Sequence, residues 1–85
     1  MNKDKITEAL RLFIKEELGI SNAVIWDWEI RDNNNFTSTI TRLTFTTALN
    51  HSAQTVSITM HSLVFNTQKY MAMVPEYSLP FEVRP

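Results

Sequence analysis

At Gly19, the only glycine in the chain, the spacing of apolar residues changes from three-and-four to two. Before it, Ile6, Ala9, Leu10, Phe13, Ile14 and Leu18 recur at i, i+3 and i+4, which makes one apolar stripe and predicts a helix over residues 3–18. Asn2 or Asp4 can cap its start by accepting free backbone N–H bonds. Gly19 fits the left-handed position that closes a helix, with Ile20 folding back on Ile14. After Ser21-Asn22, Val24, Trp26, Trp28 and Ile30 alternate with Ile25, Asp27, Glu29 and Arg31, the pattern of a half-buried strand over 23–31.

The rest of the chain keeps the period of two. Asp32-Asn33-Asn34-Asn35 reads as a turn, since asparagine tolerates left-handed φ and bonds its own backbone. A second strand is expected over 36–49. Its apolar residues change parity between Phe36/Ile40 and Leu43/Phe45/Leu49, so a β-bulge near Thr41-Arg42 is needed to keep one inner face. A third strand is expected over 54–65, with Val56, Ile58 and Met60 inward and a second slip at Leu63-Val64-Phe65. A fourth is expected over 69–74, ended by Pro75, which cannot donate to a ladder. The tail, 76–85, carries Leu79-Pro80-Phe81 and reads as a short fifth edge strand or an extended strap. Short turns between successive strands imply an antiparallel meander. The expected fold is therefore α+β: one N-terminal helix packed on one face of a four-stranded, or with the tail five-stranded, antiparallel sheet. Eighty-five residues make a single domain, 1–85, with stability of about 5 kcal/mol.

Charge is distributed unevenly over this plan. From Asn33 to Gln68, thirty-six residues carry one charged side chain, Arg42, and the other sixteen charges crowd into the two ends. A sheet built from that stretch presents hydroxyls, amides and methyls on its outer side. Charge is depleted at the centres of protein–protein contacts, and exposed strands normally use it to resist pairing. The candidate partner-binding residues are Thr37, Thr39, Thr41, Arg42, Thr44 and Thr46 on the second strand, with Ser57, Thr59 and His61 on the third. Trp26 and Trp28, two apart, are expected on one face, packed under the helix. Glu17 lies inside the apolar arc of the helix, in a last turn whose dipole disfavours it, and is expected to overhang the sheet in solvent.

Several classes are excluded or weakened. Net charge is −1, so there is no overall field towards nucleic acid or an anionic membrane. With no cysteine there are no disulfides, thiolate nucleophiles or cysteine zinc sites, and a reducing cytoplasm is the expected location. The N-terminus leads into an amphipathic pattern rather than a signal peptide, and no 18-residue apolar run exists. His51 and His61 lack ligand spacing, so no metal is expected. One glycine, already used, leaves no phosphate-cradling loop and no nucleophile elbow. No catalytic residues and no cofactor are expected, and the chain is read as not an enzyme.

These readings converge on a small non-catalytic module that binds another protein, or a second copy of itself, sterically through the Thr-rich face. Inhibitor, adaptor and immunity-type proteins act in that way. The same size and composition occur in small accessory proteins of phages and mobile elements, an expectation that rests on no particular residue. The alternative is a nucleic-acid-binding domain using Arg31, Arg42, Lys69 and an exposed tryptophan, which the scatter of the eight basic residues disfavours.

Overall fold

A computed structural model of the chain describes residues 3–48 and 54–75. In order they form α1 (Lys3–Leu18), β1 (Val24–Asp32), β2 (Thr37–Ala48), β3 (Thr55–Met60), β4 (Leu63–Asn66) and α2 (Thr67–Ala72). The four strands make one antiparallel sheet with β2 at its centre, β1 on one side and both β3 and β4 on the other. The expected α+β architecture is the one observed. The tail 76–85, the expected turn at His51 and Leu49 lie outside the described residues. None of the helices described is long and apolar enough to cross a membrane.

Helix α1 has the expected bounds, but Leu18, the last residue of the expected stripe, is exposed. Ile6, Ala9, Leu10, Phe13 and Ile14 are buried. Gly19 stands at φ 73°, its N–H donating to Lys15 O (3.0 Å) while Ile20 N–H reaches Ile14 O (3.4 Å). A Cβ at Gly19 would meet nothing within 4 Å, so the glycine answers to the backbone angle and not to crowding.

The β1–β2 turn is held by Asn34, whose Oδ1 accepts the N–H groups of Phe36 (2.7 Å) and Thr37 (2.9 Å). The bulge needed near Thr41-Arg42 is present. Glu29 pairs with Arg42 and Ile30 with Ile40, so Thr41 is the extra residue, and Ser38, Ile40, Leu43, Phe45 and Thr47 all stay buried on one side.

Strands β3 and β4 correct the expected third strand. They are two halves of one path along β2, in one continuous register: Leu43 opposite Met60, Ile40 opposite Leu63. The path breaks at His61-Ser62, opposite the β2 bulge. Ser62 takes a left-handed φ of 61° and donates its N–H to Ile40 O at 2.8 Å. Both strands thus change parity at the same level, and Leu63 and Phe65 regain the inner face.

Three further expectations fail. Residues 69–74 are not a strand: Thr67–Ala72 is helix α2, capped by Asn66, whose Oδ1 accepts Lys69 N–H at 3.0 Å. Tyr70 and Val74, both buried, are four apart, a spacing that a helix and a strand share, so periodicity alone could not decide. Trp26 does not point inward with Trp28. A second bulge, between Ile25 and Asp27, makes Trp26 the extra residue of β1, which turns Ile25 inward and leaves Trp26 69% exposed and Val24 exposed. Phe36 sits exposed at the turn, and Ser38 takes its place on the inner face.

The core lies between the sheet and the two helices. Phe13 of α1 meets Phe65 and Tyr70 edge-on, with ring centroids 5.7 and 5.8 Å away, while Phe65 and Tyr70 stack at 5.7 Å. Two polar residues are buried with it, and both are bonded. Ser38 Oγ donates to Asp32 Oδ1 (3.0 Å) and sits 2.8 Å from Thr67 Oγ1, and Thr47 Oγ1 donates to Asn22 Oδ1 (2.6 Å).

Candidate functional site: the outer face of the sheet

Both helices cover the inner face, so the alternation of β2 decides what faces out. Thr37, Thr39, Thr44 and Thr46 alternate with the buried residues, and the bulge turns Thr41 and Arg42 outward together. Ser57 and Thr59 lie opposite Thr46 and Thr44, and His61 follows at the break, exposed. All nine residues singled out in the sequence therefore stand on one face. Several of their hydroxyls are bonded. Thr44 and Thr59 bond each other at 3.2 Å, Thr39 bonds the Asn33 amide (2.9 Å from Nδ2), and Thr41 donates to Glu29 O at 3.0 Å.

Strand β1 changes the chemistry of this face. The stretch from Asn33 to Gln68 is nearly free of charge, but its neighbour β1 contributes Asp27, Glu29 and Arg31. Arg42 reaches across, with Nε 2.8 Å from Asp27 Oδ2 and Nη1 3.7 Å from Glu29 Oε1. The hydrogen bond to Asp27 and then the charges of Asp27 and Glu29 hold the guanidinium above its ordinary pKa. The face is not uncharged; its one β2 cation is neutralised in place.

Sequence periodicity also missed the largest apolar group on this face. The β1 bulge lifts Trp26 onto it, where the indole Nε1 donates to Thr46 Oγ1 at 2.9 Å. Val24 and Val64, the latter 67% exposed, add apolar surface on either side. Trp28, by contrast, turns under α1: its Nε1 donates to Thr7 Oγ1 (2.9 Å), and Lys3 Nζ sits 5.5 Å from its ring centroid. The sequence carried no signal for this divergence, because Val24, Trp26, Trp28 and Ile30 alternate without a slip.

Glu17 has a partner after all. Its Oε2 accepts the hydroxyl of Tyr70 at 3.0 Å, from α2, an element that the sequence reading had not placed there. Burial first, then the hydrogen bond and charge of Glu17, push the Tyr70 hydroxyl up to about 12 from its ordinary 10. The raised pKa means that this contribution to stability is whole below about pH 10 and is lost as pH rises through about 12. Tyr70→Phe is expected to lower stability by about 1 kcal/mol and to remove that alkaline loss, as read by urea unfolding from neutral pH upward.

Among the described residues no three of His, Asp or Glu come together to hold a metal ion. A cleft of about 190 Å³ opens on the helix side between Ile6, Trp28, Ile30 and Phe65, with Asp32 and Ser38 at one end. Comparison with protein-family models, with curated proteins and with solved structures returns no match to this chain.

Proposed function

We propose that the protein is a non-catalytic binding module that docks another protein on the outer face of its sheet. The observation that carries this reading is Trp26, displayed by a bulge and steadied by Thr46 on a face of short hydroxyl side chains. Aromatic anchors of this kind dominate interface energies, and hydrogen-bonding groups around them supply fit at little entropic cost. The complementary partner surface is flat and close to neutral, with an apolar recess for the indole. Binding acts by occlusion, as in an inhibitor, adaptor or immunity protein. The absence of cysteine fits a reducing, cytoplasmic setting.

Nucleic acid fits this face less well. Stacking on Trp26 would bring phosphates beside Asp27 and Glu29, while the nearest arginine on β2, Arg42, is engaged with both.

The test is differential capture with immobilised protein. A partner retained by the wild type and by the helix-surface variant Lys15→Glu should be lost with Trp26→Ala and with Thr39→Lys/Thr44→Lys. The loss for Trp26→Ala should reach about 2 kcal/mol, with thermal melting nearly unchanged. Equal retention by all four well-folded proteins would remove the sheet face as the contact. A steep loss of binding between low and moderate salt would favour the nucleic-acid reading instead.

A further inference from the structure

We propose that β1 is also a self-association edge, pairing antiparallel with β1 of a second copy about a two-fold axis through Ile30. Among the described residues the edge is open and long: β1 runs nine residues and bonds only to β2. The opposite edge is interrupted at His61-Ser62, a device that resists pairing.

The backbone of β1 shows which groups the free edge presents. Asn33 N–H donates to Thr37 O across the β1–β2 turn, and Glu29 O accepts from Thr41 Oγ1, so both face β2. Alternation along an antiparallel strand then turns the N–H and C=O of Trp28, Ile30 and Asp32 towards the open side.

Charge selects among the possible registers. A two-fold axis normal to the sheet keeps each face on its own side, so every residue opposes one of the same parity. Centring on Asp27, Glu29 or Arg31 sets a charge against its own copy. Centring on Trp28 sets Asp27 against Glu29. Like charges directly opposed are destabilising. Centring on Ile30 sets Glu29 of each copy against Arg31 of the other, twice, with Ile30 against Ile30 on the inner side. Among the described residues Arg31 has no carboxylate partner within its own chain, and Glu29 holds Arg42 only at 3.7 Å. Three hydrogen-bonded residue pairs in this register supply about six backbone bonds. The product is a continuous eight-stranded sheet with both Trp26 faces on one side, so the proposed docking surface is doubled and not covered.

Charge reversal tests the register. Sedimentation equilibrium should give a dimer for the wild type. Arg31→Glu alone and Glu29→Arg alone should each weaken association about tenfold or more. An equimolar mixture of the two variants should recover the dimer mass, because each then offers what the other lacks. A wild type that stays monomeric, variants that dimerise like the wild type, or a mixture that stays monomeric would each overturn the proposal. Should Glu29→Arg fail to fold, amide exchange in the wild type decides. The Ile30 N–H is predicted to exchange slowly in concentrated solution and rapidly on dilution; fast exchange at both concentrations overturns the pairing.

Discussion

Phe65→Ala is expected to lower the free energy of unfolding by about 3–5 kcal/mol, the largest loss from a single side chain in this protein. Phe65 is one residue of the four-residue strand β4, yet its ring is buried and joins three elements. It stacks on Tyr70 of α2 and meets Phe13 of α1 edge-on. Truncation would leave a hole bounded by two rings whose backbones belong to separate helices, at the point where the six-residue α2 packs on the sheet. A domain of this size has about 5 kcal/mol in total, so the variant should be largely unfolded at room temperature. Circular dichroism with urea titration reads this directly. Phe65→Leu, which keeps most of the volume, should lose only about 1–2 kcal/mol and remain folded.

The two tryptophans should separate as sharply. Trp28→Ala is expected to cost about 3 kcal/mol, because a half-buried indole packs on the core and its N–H holds Thr7 of α1. Trp26→Ala should cost less than about 0.5 kcal/mol, since its ring is mostly in solvent and its bond to Thr46 is exposed. Fluorescence gives an independent reading. The single-tryptophan protein left by Trp28→Phe should emit to the red and be quenched readily by iodide, and the one left by Trp26→Phe should do neither to the same degree. Similar stability losses from both alanine variants would contradict the bulge that sets the rings on opposite sides.

That bulge marks the limit of what could be read from the residues. Helix α1 was legible to the residue, because its stripe, its glycine stop and the change of period all agree. The bulge at Thr41 was legible too, since the apolar residues of β2 change parity and a single inner face demands an extra residue. Trp26 left no such trace: Val24, Trp26, Trp28 and Ile30 alternate without a slip, so the pattern looked complete and the wrong half of it was buried. The cap at Asn66 was visible in principle, but the four-residue step from Tyr70 to Val74 serves either period. The site was half legible. The hydroxyl residues of β2 and β3 could be assigned to a common face, while the ionic and aromatic groups on that face came from a neighbouring strand, and adjacency across a sheet is a tertiary fact.

The irregularities at Trp26, Thr41 and His61-Ser62, the last two at one level of the sheet, bear on how such a gene can change length. In an ordinary strand, losing one codon inverts every later side chain, and the damage grows with the length of strand that follows. Here each strand already contains a place where its alternation is reset. Deleting Thr41 alone would give β2 strict alternation and regular pairing with β1, but it would leave the His61-Ser62 break one residue too long for the register that joins Leu43 to Met60 and Ile40 to Leu63. The sheet therefore tolerates an indel only if two neighbouring strands change together, so lineages descended from this chain should vary freely in residue identity along the outer face and hardly at all in strand length.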